Sequence, residues 1–242
     1  MTELRFASLA AATLALAGCH KAPAAADTAP VAAPRAAAVA DAGPPVPAAP
    51  VDPASRAALV ASAERFENLT EAAFSKVPGE AARRLDLAAT SAAGIATMLP
   101  AGSGPLLAKA LGDARAAAGA HDAATLSLAS NEAYRIVLSA AGGEAKIPLA
   151  IGLLDYSGFR LTADARAAPP RWDDMAAALT YARGQWTGVK PQIANAKSVA
   201  DFDGVLTALE AAIGARDSAA TLAAATRELD LVDVLETSVK PS

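Results

Sequence analysis

Residues 172–189, WDDMAAALTYARGQWTGV, decide the fold class, because their larger apolar side chains recur at steps of three and four residues. The series consists of Trp172, Met175, Leu179, Ala182, Trp186 and Val189. Steps of this size place side chains on one face of an α-helix. The stretch therefore predicts an amphipathic helix that packs against neighbouring helices.

The same spacing recurs in three other stretches of the chain. The series are Leu59, Ala63, Phe66, Ala73 and Val77; Val199, Phe202, Leu206, Leu209 and Ile213; and Leu222, Ala225, Leu229, Val232 and Val239. Aromatic residues make up 4% of the sequence, which disfavours β-strands. The sequence predicts an all-α fold, an antiparallel bundle of about eight helices over residues 54–242.

Glycine and proline residues separate the predicted helices. The predicted breaks are Pro78-Gly79, 100–105, 119–122, Gly142-Gly143 with Pro148, 162–170, Pro191 and 214–218. Asp122 and Ser198 are predicted N-caps, because a side-chain oxygen there can accept the first free backbone N–H groups. Pro170 suits the first position of a helix.

Two stretches of the sequence resemble each other. Residues 119–132 read GAHDAATLSLASNE and residues 214–228 read GARDSAATLAAATRE, and they match when one residue is inserted. A duplication would divide the domain into two pseudo-repeated four-helix halves, 54–146 and 147–242. Chance similarity between Ala-rich helix junctions is the alternative.

The chain begins with MTELRFASLAAATLALAG, residues 1–18, which precede its single cysteine, Cys19. Arg5 supplies a positive start, and the apolar run that follows is too short to span a bilayer. Leu16-Ala17-Gly18-Cys19 resembles the lipobox of bacterial lipoproteins. The resemblance implies that residues 1–18 are a signal peptide and that acylated Cys19 anchors the chain in membrane lipid. An ordinary signal peptide with a chance cysteine is the alternative.

Further expectations about location follow from the residues after Cys19. His20 stands where an aspartate would retain an enteric lipoprotein in the inner membrane, so the resemblance implies the outer membrane and a domain facing the periplasm. Residues 19–53 are rich in Ala and Pro and predict a disordered tether. The formal net charge is −4 and no basic patch is evident, so no nucleic-acid partner is predicted.

Residues 146–161, KIPLAIGLLDYSGFRL, form the most distinctive stretch of the domain. One interpretation is a central helix whose Asp155 pairs with an arginine such as Arg135 and whose Tyr156 hydroxyl finds an internal partner. The functional interpretation is a groove for a ligand or protein partner. Its candidate residues are Tyr134, Asp155, Tyr156, Phe159, Arg160, Trp172 and Trp186.

No catalytic, cofactor or metal-binding motif was found in the sequence. The chain lacks Glu-x-x-His, Cys-x-x-Cys-His and Gly-x-Ser-x-Gly, and His121 is expected in an exposed turn. Met98 and Met175 are expected to fill the core rather than to bind haem. The prediction is a non-catalytic binding or scaffold domain with a possible envelope protein partner. A metal- or haem-binding bundle and a lytic cell-wall enzyme using Glu132 and Asp155 are the alternatives.

Overall fold

Eight α-helices follow one another in the computed structural model, which describes residues 51–144 and 146–240. They are α1 (Pro53–Ala72), α2 (Glu80–Ile95), α3 (Ser103–Gly119), α4 (Ala123–Ala141), α5 (Leu149–Arg166), α6 (Trp172–Val189), α7 (Ala196–Gly214) and α8 (Ser218–Glu236). A short 3-10 helix follows α6, and one isolated bridge joins Ile193 to Val239. The predicted all-α bundle is confirmed. The predicted signal peptide, the lipidation site Cys19 and residues 19–50 of the tether lie outside the described residues.

Side-chain caps define where four of the helices begin. Backbone N–H groups at the starts of α1, α4, α7 and α8 donate to the side chains of Asp52, Asp122, Asn195 and Asp217, respectively. The prediction of Asp122 as an N-cap is thus confirmed. The prediction of Ser198 is wrong, because this residue lies inside α7 and Asn195 Oδ1 already accepts from Lys197 N at 2.9 Å.

Two other helix ends differ from the prediction. Helix α1 ends at Ala72, well before the predicted break at Pro78, so Val77 lies in a turn and is 62% exposed. Helix α6 begins at Trp172 rather than at Pro170. At α1 the apolar spacing continued beyond the helix, and spacing alone does not locate an end. At α6 the preference of proline for the first helical position placed the start two residues early.

Helix α5 is the central helix of the bundle. It packs against α4, α6 and α8. It also extends to Arg166, through part of the stretch 162–170 that was predicted as a loop. Ala163 and Ala165 are buried in this extension, so packing stabilises helix where the local sequence, rich in polar residues, indicated a loop.

The hydrophobic core is divided into two clusters of buried residues. One is built from α1–α4 together with Tyr156, and the other from α5–α8 with Ile193. In each group of four, the first helix packs against the second and the fourth, and the third packs against the fourth. We refer to α1–α4 as the first half and to α5–α8 as the second half. Residues 142–148 connect them, where the sequence predicted a boundary.

Buried positions in the two halves correspond at a nearly constant offset. Helix α8 begins and ends 95 residues after α4, at 218 against 123 and at 236 against 141. Buried pairs at this offset are Leu59 and Leu154, Ser62 and Ser157, Phe66 and Leu161, Leu107 and Phe202, Leu111 and Leu206, Ile136 and Leu231, and Val137 and Val232. In α2 and α6 the offset is 94 instead, as from Leu85 to Leu179 and from Ile95 to Val189. The two halves therefore present the same helix faces to their cores.

The two resembling stretches form the same turn. His121 and Arg216 both adopt left-handed backbone conformations, with φ of 56° and 53°. The N–H of the following aspartate donates 3.0 Å to Ala117 O in one turn and 3.0 Å to Ala212 O in the other. His121 is exposed, as expected from the sequence. The Gly-Ala-x-Asp identity thus reflects an equivalent helix junction in each half.

The sequence matches after this turn do not correspond in space. The two caps align without the inserted residue, and the buried positions of α4 and α8 then continue in register. In this register Glu228 corresponds to the buried Ala133 rather than to Glu132. The sequence alignment with one inserted residue therefore matched identical residue types that lie on different faces of α4 and α8.

Candidate functional site

A partly open cavity of about 190 Å³, which we call the junction cavity, lies between the two halves. It is lined by residues of α1, α4, α5 and α8 and of the connection between α4 and α5. Its apolar lining consists of Val60, Ala63, Leu138, Ile147, Pro148 and Leu149. A volume of this size admits a side chain or a small organic group rather than a large cofactor.

Six carboxyl groups also line the junction cavity. They are Glu64 and Glu67 on α1, Glu144 in the connection, Asp155 on α5, and Asp233 and Glu236 on α8. No lysine or arginine lines the cavity, and within the described residues no ion pair involves any of the six. The cavity therefore concentrates negative charge without a neutralising partner in the described part of the chain.

Burial and the charge of neighbouring carboxylates raise the pKa values of Glu67, Asp155 and Glu236. Burial, followed by the charges of Glu71 and Glu236, raises the pKa of Glu67 to about 7. Burial, followed by the charges of Glu67 and Glu236, raises the pKa of Asp155 well above its ordinary value. Burial and the charge of Glu144 raise the pKa of Glu236. Neighbouring carboxylates thus make ionisation of Glu67, Asp155 and Glu236 less favourable, and a cation would have the opposite effect.

Tyr134 and Gly152 form the wall where α4 meets α5. The Tyr134 hydroxyl donates to Gly152 O over 3.2 Å. A Cβ at position 152 would lie 2.5 Å from Leu138 Cδ2, so the glycine permits the close approach that the sequence indicated. Burial and then the charge of Asp155 raise the pKa of Tyr134, so this tyrosine stays a neutral donor.

Tyr156 and Arg160 belong to a separate polar cluster. The Tyr156 hydroxyl donates to Glu132 Oε2 over 3.2 Å and accepts from Arg160 Nη1 over 3.2 Å. Arg135 donates to the same Glu132, at 2.6 Å through Nη2. Tyr181 packs edge-on against Tyr156 with ring centroids 5.5 Å apart. The expected internal partner of the Tyr156 hydroxyl is thus present, and Arg135 pairs with Glu132 rather than with Asp155.

The structure divides the predicted groove among several places. Tyr134 and Asp155 line the junction cavity, whereas Trp186 lines a groove between α6 and α7 and donates its indole N–H to Asp203. Phe159 is buried, and Trp172 is partly buried against the core of the second half. The predicted residues therefore do not share one surface, because α5 directs its faces toward three different helices and α6 directs Trp186 toward α7.

The sequence analysis missed most of the acids in the junction cavity. Glu64 and Glu67 are three residues apart on α1, and Asp233 and Glu236 are three apart on α8, so each pair lies on one helix face. This spacing indicates an acidic face but does not show that the two faces meet. That information comes from the packing of the second half against the first.

The residues named in the alternative functions lie apart from one another. Glu132 is held by Arg135 and Tyr156, whereas Asp155 faces the junction cavity. Met175 is fully buried and Met98 is 37% exposed. Across residues 51–144 and 146–240, no group of three His, Cys, Asp or Glu side chains is placed to hold a metal ion. None of the described helices is long and apolar enough to cross a membrane.

Comparison with known proteins adds no relative. No family model, no curated protein and no solved structure matches the chain.

Proposed function

We propose that the protein is a lipid-anchored, periplasm-facing lipoprotein whose helical domain binds, without catalysis, a cationic group in the junction cavity. The observation that carries the binding proposal is the combination of six carboxyl groups with an apolar lining that, among the residues the structure describes, includes no lysine or arginine. An alkylammonium or guanidinium group suits this lining, since its carbon stem contacts apolar side chains while its charge meets carboxylates. A lysine or arginine of an envelope protein partner would present such a group.

The proposal of a membrane anchor depends on the N-terminal sequence. Leu16-Ala17-Gly18-Cys19 ends a short apolar run and resembles a lipobox. Two or three acyl chains hold a protein stably on a membrane, at about 0.8 kcal/mol per buried methylene. The Ala/Pro-rich stretch 20–52 then separates the lipid from α1 as a spacer. His20 supports an outer-membrane destination.

Metabolic labelling tests the anchor. Cells that express the chain and grow on a clickable fatty acid should incorporate the label into this protein. A Cys19→Ser variant should remain unlabelled, and a Ser8→Ala variant should be labelled like the parent chain. Absence of label on the parent chain, while a known lipoprotein in the same cells is labelled, would contradict the anchor.

Titration with a small amine tests the binding site. Pentylammonium is the probe, pentanol is its uncharged control, and the full chain carries Cys19→Ser to remain soluble. The amide NMR signals of Gly143 and Gly152, which line the cavity, should shift with pentylammonium, while those of Gly112 and Gly204 should not.

Charge removal completes the binding test. Asp155→Asn should weaken pentylammonium binding roughly three- to tenfold, because it deletes one buried attractive charge. Asp86→Asn, an exposed change on α2, should leave the affinity unaltered. Equal shifts with pentanol and pentylammonium, or no shift with either, would overturn the binding proposal.

A further inference from the structure

One helix pair provides most of the contact between the two halves. Among the described helices, α4 and α5 are the pair from different halves that packs extensively, and each half keeps its own core cluster. Polar bonds cross the contact. Asn131 Nδ2 donates to Tyr156 O over 2.8 Å, and the Tyr134 hydroxyl donates to Gly152 O over 3.2 Å. A polar contact along one pair of helices is a suitable axis for relative motion of two packed units.

Helices α1 and α8 belong to different halves and both line the junction cavity, where each forms a wall that carries negative charge. Glu64 and Glu67 project from the α1 wall, and Asp233 and Glu236 project from the α8 wall. Asp155 on α5 and Glu144 in the connection are the other carboxyl groups that face the cavity, and the Tyr134 hydroxyl is the one further titratable group. The walls therefore repel each other once their carboxyl groups are charged.

Several cations lie close in sequence to the cavity residues but do not line the cavity. Arg65, between Glu64 and Glu67, is exposed, and Arg135, next to Tyr134, donates to Glu132. Arg56, one turn before the cavity residues of α1, donates to Ala141 O over 3.3 Å. Lys146, in the connection, is exposed and is not part of the lining. Burial and neighbouring charges raise the pKa of Glu67 to about 7 and also raise the pKa values of Asp155 and Glu236, so the charge of Glu67 on the α1 wall changes near neutral pH.

We propose that the junction cavity widens when its carboxyl groups ionise, with the α4–α5 contact as the hinge, and narrows when they are protonated or bridged by a cation. Widening relieves repulsion between α1 and α8 and keeps the helix contacts within each half. A cation held between the walls would draw them together, and this part of the proposal rests on the proposed function. Proton binding and ligand binding would then favour the same narrow form.

A distance measurement across the cavity tests the hinge. Spin labels are placed on Ala57→Cys in α1 and Val234→Cys in α8, both exposed positions, in the full chain carrying Cys19→Ser. Double electron–electron resonance then gives the mean distance between labels at pH 5 and at pH 9. We expect a longer mean distance at pH 9, and its reduction when pentylammonium is added at pH 9.

One pair of charge substitutions tests whether the wall charges cause the change in distance, and a second pair is its control. Glu67→Gln with Glu236→Gln removes one charge from each wall and should abolish the lengthening. Asp86→Asn with Asp230→Asn changes two exposed acids outside the cavity and should preserve it. A distance that is the same at both pH values, or one that still lengthens in the Glu67→Gln/Glu236→Gln chain, would overturn the hinge.

The amine titration separates this proposal from the proposed function. Binding of pentylammonium with no pH-dependent distance would contradict the hinge and support the binding site. A pH-dependent distance without amine binding would support the hinge and contradict the binding site.

Discussion

The two halves of the bundle present equivalent faces to their cores but differ in the charge that they bury. Among the described residues, the buried charged side chains are Arg160, Asp164 and Glu228, and all three lie in the second half. At the corresponding positions, the first half has an exposed Arg65, a buried Leu69 and a buried Ala133. Equivalent helix packing thus coexists with very different interiors.

The position of α5 explains part of this difference. Helix α1 packs mainly against α2 and α4, so one of its faces meets solvent and leaves Arg65 exposed. Helix α5 packs against α4 as well as against α6 and α8, so the equivalent face is covered. Arg160 there is 7% exposed and bonds to the Tyr156 hydroxyl. Contact between the halves therefore converts a surface arginine position into an internal one.

Glu228 shows an adaptation that the first half lacks. Its carboxyl group is fully buried, and its Oε1 lies 3.2 Å from Ser157 Oγ. A Cβ at position 158 would lie 2.7 Å from Glu228 Oε2, so Gly158 makes the space that the carboxyl group fills. The counterpart of Gly158 is Ala63. Only the second half is built to hold an acid between its first and fourth helices.

Core truncations at equivalent positions should have the largest effects. Leu59 and Leu154 are both fully buried. Leu59→Ala and Leu154→Ala should each lower the free energy of unfolding by about 2–5 kcal/mol, because each leaves a cavity in one half. Urea unfolding followed by far-UV circular dichroism measures these losses. The exposed Val234→Ala is the control and should cost little.

The same experiment asks whether the halves unfold together. Both tryptophans of the chain, Trp172 and Trp186, lie in the second half, so their fluorescence reports that half alone. Because α4 and α5 pack together, we expect Leu59→Ala to shift the fluorescence and dichroism midpoints equally. A shift in dichroism without a shift in fluorescence would show that the halves unfold independently.

Exchange of a glycine and an alanine should have the next largest effect. Gly158→Ala should cost about 1–3 kcal/mol, because the added methyl group collides with Glu228 and with Leu229, whose Cδ2 would be 2.7 Å away. Ala63→Gly, the reverse change in the first half, should cost about 1–2 kcal/mol, through lower helix propensity and the loss of one buried methyl group. Urea midpoints measure both losses.

A double substitution shows whether Glu228 is the cause. Combining Gly158→Ala with Glu228→Ala reproduces the residue pair of the first half, Ala63 and Ala133. Part of the lost stability should return, because the carboxyl group that collided with the methyl group is gone. Additive losses from the two changes would show that the collision with Glu228 is unimportant.

Glu228 should also make the stability of the protein depend on pH. Burial raises the pKa of Glu228 to about 8, although the bond to Ser157 partly opposes this shift. The folded state then binds more protons than the unfolded state, so the stabilising effect is complete below the unfolded pKa and is lost as pH rises through about 8. Glu228→Gln cannot ionise and should reduce the loss of stability between pH 5 and pH 9 by on the order of 2 kcal/mol.

Urea unfolding at the two pH values measures this effect. Asp230→Asn, an exposed change on the same helix, should retain the pH dependence of the parent chain. Ala133→Ser in the first half should also leave it unchanged, because it adds no titratable group. An unaltered pH dependence in the Glu228→Gln chain would show that Glu228 is ionised while buried.

Much of the fold could be predicted because helix periodicity is a local property. In the stretch that begins at Trp172, the predicted residues Met175, Leu179, Ala182, Trp186 and Val189 are all buried. The predicted end of α5 was wrong because that end depends on contacts that are not local in sequence. Its polar Thr162, Asp164 and Arg166 indicated a loop, whereas contacts with helices distant in sequence keep the chain helical there.

The site was less predictable because its walls come from opposite ends of the domain. Tyr134 and Asp155 were identified from the scarcity of aromatic residues and from one unusual stretch. Glu67 and Glu236 lie in the first and last helices, and nothing in their local sequence shows that they face one cavity. The repeat gives a similar lesson, since the turns were recognised but the register after them depended on backbone geometry.

Removal of the N-cap in each of the two equivalent turns should have the smallest effects on stability, and these two changes are the most closely matched between the halves. Asp122 Oδ1 accepts from Thr125 N at 3.0 Å, and Asp217 Oδ1 accepts from Ala220 N at 3.0 Å, so each aspartate caps one helix. Asp122→Ala and Asp217→Ala should each cost about 1 kcal/mol. Denaturant midpoints near neutral pH measure both losses.

The cap in the first half should be the stronger of the two. Asp122 Oδ2 also accepts from Thr125 Oγ1 at 2.7 Å, and that hydroxyl accepts from Arg171 Nη2 at 3.2 Å. These bonds connect the first half to the second, so Asp122→Ala should cost about 0.5 kcal/mol more than Asp217→Ala. Bonding from Thr125 lowers the pKa of Asp122, so its contribution is present above the unfolded pKa and is lost as pH falls through the lower folded value. If Asp122→Ala and Asp217→Ala cost the same unfolding free energy in a chain that carries Thr125→Val, the bonds of Thr125 between the halves account for the difference. If the two costs still differ, the cause lies in the turn itself.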